Sequence, residues 1–436
     1  MKTIALFGAG KSATVLISYL LKEAEKHNWK IIIADNNKSI IEQKTNHHKN
    51  SEAVEIDITD KDKRRLIIKK ADVVISMMPA SLHILIANDC IEYKKSLLTA
   101  SYVDQNIKAL EAKAIEAGIL FLCEMGLDPG IDHMSAMKIF DEIKEEGGVI
   151  TSFKSHCGGL VAPESDDNPW RYKISWNPRN VVLAGKSGAL YLKDKKKIQE
   201  IYENLFSTNR ELEIEGKKYS YYPNRNSLSY IDLYSLHDVE TFVRTTLRYP
   251  EFMNGWDKII KLKLTEEDVK YNTDGLSIES FFANHFKNND LNELFLELLD
   301  NDFKEQMYFF GLKDNTTFIN KGMCSAADVM QFILEIKLPL LANDKDLVLM
   351  FHEVEYTVQD KRKLITSSLY VTGNDNIHTA MAKTVGLPLG IATKLLLENK
   401  IKLKGVHIPV DKEIYLQVLK ELEINGVVFN ENVRLL

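Results

Sequence analysis

Cysteine is scarce: Cys90, Cys123, Cys157 and Cys324 are the only four in 436 residues, far apart and with no CxxC pair. That spacing offers neither a disulfide framework nor a zinc-ligand set, so no metal is expected and a reducing compartment fits. Long hydrophobic runs are missing too, since no window approaches the ~20 apolar residues of a membrane span. The start, Met1-Lys2-Thr3 followed by Ile4 to Phe7, lacks the charged-then-apolar layout of a signal peptide. These absences make the cytoplasm the expected location, with no membrane partner. Nor is there an excess of one charge: 62 acidic against 56 basic residues leave a net charge of -6. A balance so near neutral excludes a nucleic-acid partner or an anionic membrane surface as the default expectation. Repeats and low-complexity linkers are absent as well.

What is present is the composition of a globular chain, 45% hydrophobic and 27% charged, long enough for two or three domains. From Thr3 to about Cys123, short apolar runs alternate with amphipathic helical stretches: Thr3–Phe7, Lys30–Ala34, Ala53–Asp57, Val73–Ser76, Leu97–Thr99 and Leu120–Cys123. Such a rhythm predicts an α/β fold, a Rossmann-type doubly wound parallel sheet covered by helices. Beyond residue 150 the runs lengthen and alternate, in Val149–Ser155, Val181–Leu192, Leu347–Tyr356 and Lys363–Thr372, the last two joined by the polar turn Gln359-Asp360-Lys361-Arg362. They predict a second, mixed or mostly antiparallel sheet. Helical spacing in Leu262–Tyr271, Ile278–Phe286, Leu291–Phe310 and Ala326–Ile336 predicts an inserted helical lobe. After Thr379 the chain returns to the first domain. The expected division is 1–132 with 380–436, then 133–253 with 343–379, and a helical domain over 254–342.

The first strand runs into Gly8-Ala9-Gly10-Lys11-Ser12-Ala13, which fits G-x-G-x-x-G/A. The first glycine makes the tight turn, the second admits a pyrophosphate, and the third position lets helix and strand pack closely. The following helix, from Thr14, aims its N-terminal amides at the phosphates. Gly10-Lys11-Ser12 mimics the end of a P-loop, but that motif needs glycine where Ala5 stands. Asp35 closes the second strand, where a carboxylate receives both ribose hydroxyls and repels a 2′-phosphate, so NAD is favoured over NADP. Its other role is a turn or capping aspartate before Asn36-Asn37. Asp57 stands where it can accept from the adenine amine. Ser76, Met77 and Pro79 follow the fourth strand and are expected to line the nicotinamide side.

Three further segments sit at such strand ends: Thr99-Ala100-Ser101-Tyr102, Glu124 to His133, and Ser155 to Leu160. Gly126–His133, Cys157–Ser165, Asp167-Asn168-Pro169, Tyr172–Trp176, Tyr222–Ser227 and Thr246–Tyr249 resemble the glutamate-forming saccharopine dehydrogenases, also called saccharopine reductases. The resemblance runs in order over nearly the whole chain, to Ala380–Lys383 and Gly386-Leu387-Pro388. It implies a Rossmann domain built from both chain ends, a sheet domain that binds substrate and carries a homodimer contact, and a closing helical domain. It implies NAD(P)-dependent oxidation of saccharopine to glutamate and 2-aminoadipate semialdehyde, or the reverse condensation in lysine metabolism. A substrate with three carboxylates calls for arginine clamps, and by position Arg225 and Arg248 take that role, with Arg244 nearby. Ser101, Tyr102, Asp128, Cys157 and Trp176 would line the substrate cleft, with Thr246 and Leu247 beside it. Ser101, Leu127 and Asp128 would also border the cofactor.

Proton transfer to and from the amine and water needs a group poised near neutral pH. Asp128, Cys157 and Tyr102 are the candidates. Asp128 directly before Pro129 also reads as a helix N-cap with proline at the first helical position, and Cys157 also reads as a small buried hydrophobe. His133 and His156 stay unassigned, because histidine at such places is as often a hydrogen-bonded core residue. Two departures stand out. NADP-using members place a basic residue where this chain has Asp35-Asn36-Asn37, and Val161 replaces a usual proline. The competing readings are an imine-reducing relative acting on another amine conjugate, such as carboxynorspermidine, and a nucleotide-sensing module without turnover.

Overall fold

The computed structural model describes residues 1–207, 210–268 and 270–436. The chain begins β1 (Thr3–Phe7), α1 (Thr14–His27), β2 (Lys30–Asp35), α2 (Lys38–Thr45), β3 (Ser51–Glu55), α3 (Lys61–Lys70), β4 (Val73–Ser76) and α4 (His83–Tyr93). It continues through β5 (Ser96–Thr99), α5 (Gln105–Lys108), α6 (Glu111–Ala117), β6 (Leu120–Leu122) and α7 (Ile131–Glu145). Next come β7 (Val149–Val161), α8 (Pro178–Val182), β8 (Ala189–Lys193), β9 (Lys196–Glu200), α9 (Tyr202–Leu205), β10 (Glu211–Ile214), β11 (Lys217–Pro223), β12 (Arg225–Asn226), α10 (Ser229–Leu233) and β13 (Thr241–Arg248). The helical stretch holds α11 (Pro250–Lys261), β14 (Lys270–Asn272), α12 (Ile278–Asn288), α13 (Asn292–Leu298), α14 (Asn301–Phe309), β15 (Met323–Ser325) and α15 (Ala326–Lys337). The chain closes with β16 (Asp346–Val358), β17 (Lys361–Thr372), α16 (Ala380–Leu397), β18 (Gly405–His407), α17 (Lys412–Ile424) and β19 (Phe429–Leu435).

Two compact units result, one from Met1–Val149 with Leu369–Asn430, the other from Ile150–Ser368 with Glu431–Leu436. Unit 1 holds a seven-stranded parallel sheet in the order β18-β6-β5-β4-β1-β2-β3. The order reverses between β1 and β4, which puts a crevice at the carboxyl ends of those strands. Ile4 to Phe7 and Val73 to Ser76 are buried throughout, as expected of strands covered by helices on both faces. Among the described residues one helix, α16, is long and apolar enough to cross a membrane. In this chain it lies mostly buried, packed along α1. Gly386 and Gly390 permit that closeness: a Cβ on the first would stand 2.8 Å from Leu16 N and on the second 2.5 Å from the Tyr19 ring.

Unit 2 is built on a ten-stranded mixed sheet whose main path is β10-β11-β13-β7-β16-β17-β19, with β8 joining β9, β12 and β13. The helices α11, α12, α14 and α15 share one apolar core with Trp170, Tyr172, Tyr222 and Val243 of the sheet side. The segment expected as a separate helical domain is therefore continuous with the sheet in a single unit. Helix α7 stays in unit 1 because it packs on α17, with Tyr415 donating to Asp141 by a bond to Oδ2 and Lys412 Nζ 2.8 Å from Glu145. The last residues, from Glu431, return to unit 2 as the edge strand beside β17.

The third strand lies two residues earlier than expected, at Ser51–Glu55, and local expectations fail outright in three more places. Val181–Leu192 is not one strand: Asn177 caps α8 and Pro178 opens it, so Val181 and Val182 lie on helix. Leu262–Tyr271 is not helix. Helix α11 ends at Lys261, Lys263 takes a left-handed φ of 56°, and Lys270 to Asn272 pair with β15, while Val269 lies outside the described residues. The hairpin turn is tighter than expected, because Gln359 and Asp360 alone adopt positive φ and Lys361 and Arg362 are already strand.

Candidate functional site

In unit 1 the glycine loop has the geometry of a dinucleotide cradle. Gly8 sits at φ 100° with its Cα against β4, where a Cβ would stand 2.9 Å from Met77 O, so only glycine fits. At Gly10 a Cβ would meet nothing within 4 Å, which is the open space a pyrophosphate requires. Lys11 to Ala13 form a single 3₁₀ turn leading into α1, and Ala13 is buried where the motif demands a small side chain. The residues present thus fit the dinucleotide.

Asp35 occupies the end of β2, and its carboxylate is already engaged. Oδ2 accepts from Ala9 N at 2.7 Å and Oδ1 from Asn37 N at 3.1 Å. The turn role is real, and the oxygens brace the glycine loop from below. Asn36 is exposed in the same turn, and Asn37 caps α2. Lys44 reaches back from α2 to donate to Gly10 O at 2.6 Å and Thr14 Oγ1 at 2.9 Å. Burial pulls its amine down to about 8, against the opposing attraction of Asp35. A cation therefore does stand beside the loop, supplied from nine residues beyond Asp35. Asp57 is bound locally: Oδ1 accepts from Thr59 N at 2.8 Å and Thr59 Oγ1 at 2.7 Å, and these bonds hold its carboxyl below the usual range.

Across the crevice Met77 N donates to Phe7 O at 2.8 Å, and Pro79 is exposed at the start of a short 3₁₀ turn. Ser76 and Ser101 are linked by His83, whose Nδ1 lies 2.8 Å from Ser76 Oγ and Nε2 2.8 Å from Ser101 Oγ. Tyr102 Oη donates to Asp128 Oδ1 at 3.2 Å, so two of the three catalytic candidates meet. The N-cap role of Asp128 is overturned. Gly126 N donates to Pro129 O and Ile131 N to Gly126 O, which folds the segment into a tight loop and delays the helix to Ile131. Gly130 caps α7 instead, at φ 146°, where a Cβ would clash with Gly126 O at 2.1 Å. Leu127 is buried in this loop, its carbonyl accepting from Asp132 N. His133 is fully buried with Nε2 2.8 Å from Glu124 Oε2, and Glu124 Oε1 accepts from Val103 N at 3.0 Å.

In unit 2 the parallel register of β13 on β7 sets Arg244 opposite Ser155, Thr245 opposite His156 and Thr246 opposite Cys157. Side chains alternate along a strand. Cys157, Arg244, Thr246 and Arg248 therefore share one face, and Leu247 belongs to the other with His156. The packing agrees: a Cβ on Gly158 would strike Leu247 Cβ at 2.8 Å. Leu247 therefore points to the face opposite Arg248, and its carbonyl accepts from Arg248 Nη1 at 2.7 Å. His156 is a hydrogen-bonded core residue, with Nδ1 2.6 Å from Thr245 Oγ1 and Nε2 3.3 Å from Glu353. Burial lowers its pKa against the pull of Glu353.

Arg248 is 3% exposed and lies 5.4 Å from the Tyr172 ring centroid and 5.7 Å from that of Phe252. Among the described residues its Nε has no hydrogen-bond partner and no carboxylate lies within ion-pair distance of it. Trp176 joins this cluster by donating Nε1–H to Tyr172 Oη at 2.9 Å. Arg244, also buried, stacks 4.4 Å over Tyr230, and its carbonyl accepts from Asn224 N, the residue before Arg225. Arg225 is exposed on β12 with a left-handed φ of 53°. Cys157 is buried beside Thr246.

Sequence reasoning missed Lys44 and His83. Each acts through contacts between separate elements, and neither sits in a motif.

A glycine cradle at the switch point of a parallel sheet defines unit 1 as a nicotinamide-dinucleotide-binding unit, joined to a sheet unit that buries cationic side chains. Comparison with known proteins sharpens this class. The family model "Saccharopine dehydrogenase NADP binding domain" matches residues 4–122, and "Saccharopine dehydrogenase C-terminal domain" matches 126–427. The chain belongs to the saccharopine dehydrogenase family. It is 31% identical over 450 residues to saccharopine dehydrogenase [NADP(+), L-glutamate-forming] of Schizosaccharomyces pombe, covering 99% of both chains. To the alpha-aminoadipic semialdehyde synthase of Arabidopsis thaliana it is 34% identical over 404 residues, 86% of this chain but 38% of that protein. It also spans less than half, 47%, of the mitochondrial synthase of Bos taurus. The apo structure of saccharopine dehydrogenase (L-Glu forming) from Saccharomyces cerevisiae matches with a TM-score of 0.89 at 30% identity over 100% of both chains.

Proposed function

We propose that this chain oxidises saccharopine to L-glutamate and 2-aminoadipate 6-semialdehyde, and catalyses the reverse reductive condensation. Saccharopine, the oxidised dinucleotide and water give glutamate, the semialdehyde, the reduced dinucleotide and a proton. The observation that carries this reading is Arg248, a buried guanidinium with no anion of its own among the described residues. Burying an unpaired charge costs several kcal/mol, of order, in real proteins. A ligand carboxylate offsets that cost, and a planar fork is the right grip for it. Arg244 and Arg225 lie along the same sheet as further clamps for a substrate with three carboxylates, and this favours saccharopine over an amine conjugate with fewer.

The dinucleotide, held by Gly8 to Ala13, supplies the hydride acceptor. Asp128, oriented by the Tyr102 hydroxyl, moves the proton of the amine and of the attacking water, and Cys157 remains a candidate substrate contact. Asp35 sets the cofactor preference: although the S. pombe relative is named for NADP(+), a carboxylate at the end of β2 favours NAD. Lys44 does not cancel this, because two of its three donors are already given to Gly10 O and Thr14 Oγ1. The working form is a homodimer in the cytoplasm. The exposed Val433, Leu435 and Leu436 at the edge of the unit 2 sheet support the dimer, and light scattering should give twice the mass of one chain.

The test is reduction of NAD and NADP, side by side, by the purified protein with saccharopine, repeated with Asp35→Ala. NAD is the better acceptor in the parent and its margin shrinks in the variant. Equal use of both by the parent would remove Asp35 from the account, and no saccharopine-dependent reduction of either would end it.

A further inference from the structure

We propose that His83 is a positioning residue: a neutral imidazole, protonated at Nε2, that ties Ser76 to Ser101 and turns the Ser101 hydroxyl into a hydrogen-bond donor for a ligand oxygen. This deepens the reading of Ser101 as a substrate-contacting residue and rests on it.

The direction of the hydrogen bonds follows from burial. Ser76, at the end of β4, is fully buried, and among the described residues its hydroxyl meets one polar side-chain atom, His83 Nδ1, at 2.8 Å. A buried hydroxyl proton left without an acceptor is costly, so Ser76 Oγ donates and Nδ1 accepts. A neutral imidazole with an accepting Nδ1 carries its proton on Nε2. That N–H points at Ser101 Oγ, 2.8 Å away, and Thr99 Oγ1, 3.2 Å away, the former two residues beyond β5 and the latter at its end. Thr99 Oγ1 acts as an acceptor here too, taking Ser101 N–H at 3.3 Å. Ser101 Oγ, having accepted from the imidazole, keeps its own proton for another partner. Ser101 is half-buried at the strand end where this sheet type receives ligands. An oxygen acceptor of the substrate, a carboxylate, is the chemistry that fits.

The chain of groups does not conduct protons. It ends at Ser76, which has no further side-chain partner among the described residues and no exposure to water. Neutrality matches the surroundings: burial presses the imidazole pKa down to about 4, with the charge of Asp104 opposing.

Two measurements test this. In protein labelled with ¹⁵N-histidine, the His83 signals, assigned by their loss in His83→Gln, should show a protonated Nε2 and a bare Nδ1 at neutral pH. The opposite tautomer, or an imidazolium, would overturn the proposal without any activity assay. The second is a double-mutant cycle on kcat/KM for saccharopine with His83→Gln and Ser101→Ala. Each single change should cost about tenfold, the worth of one hydrogen bond. In the Ser101→Ala background, His83→Gln should add less than about twofold, because its effect passes through Ser101. Multiplying losses would mean a general structural role and refute the proposal, as would full activity in Ser101→Ala. A parent enzyme inert toward saccharopine would instead sink the activity, and the tautomer would still decide His83.

Discussion

Arg248→Met is the perturbation that separates binding from folding most cleanly. The guanidinium keeps one hydrogen bond, from Nη1 to Leu247 O at 2.7 Å, and lies 5.4 Å and 5.7 Å from the rings of Tyr172 and Phe252. Removing those contacts costs about 1 to 2 kcal/mol. The same substitution relieves a buried charge with no carboxylate within ion-pair distance among the described residues, a gain of comparable or larger size. Methionine fills most of the volume and adapts to irregular gaps. The melting temperature should therefore hold or rise. Activity should not: losing the partner of a desolvated substrate carboxylate costs about 2 to 5 kcal/mol, or roughly 30- to 4,000-fold in kcat/KM for saccharopine. Arg248→Lys should recover little, since a point charge does not reproduce the fork. Thermal melts and saccharopine-dependent reduction of the dinucleotide read both quantities on the same preparations. A variant that melts well below the parent while keeping its KM would refute the reasoning.

Three further outcomes follow from the geometry. Lys44→Met releases Gly10 O and Thr14 Oγ1 from their shared donor, and should raise the KM for the dinucleotide about tenfold while leaving that for saccharopine within about twofold. Gly130→Ala places a methyl 2.1 Å from Gly126 O at φ 146°. It should destabilise by about 3 kcal/mol or more, seen as a lower denaturation midpoint. The third concerns acid. His83 takes its proton at about 4 when folded against 6.5 in the unfolded chain. Unfolded chains bind more protons between those values, so stability falls as pH drops from 6.5 to 4, by about 3 kcal/mol from this group. Denaturant titrations of His83→Gln should lack that share of the loss, and an identical pH dependence in parent and variant would count against the buried neutral imidazole.

Strands of unit 1 were legible because burial on both faces writes a continuous apolar run, and Thr3–Phe7 and Val73–Ser76 match to the residue. The glycine loop was legible for the same local reason: turn, close approach and helix start are contiguous in the chain. Asp128 before Pro129 misled, since the cap was judged from a dipeptide while the contact that decides it, Gly126 against Gly130, is a tight loop closure. Val181–Leu192 misled because Pro178 and the Asn177 cap outweigh a β-branched pair. Leu247 is grouped with Arg248 by its place in sequence, whereas alternation along β13 puts the two side chains on opposite faces. Lys44 and His83 could not be read at all. One lysine of many reaches the loop only because α2 folds back over it, and a histidine seven residues past Ser76 matters only because β5 lies beside β4.

The central claim is a carbon–nitrogen oxidation coupled to a nicotinamide dinucleotide. Incubating the purified chain with saccharopine and NAD, and quantifying glutamate against reduced dinucleotide over time, tests it most directly. The two should appear in equal amounts, together with the semialdehyde. Reduced dinucleotide without glutamate, or neither product with NAD or NADP, would contradict it.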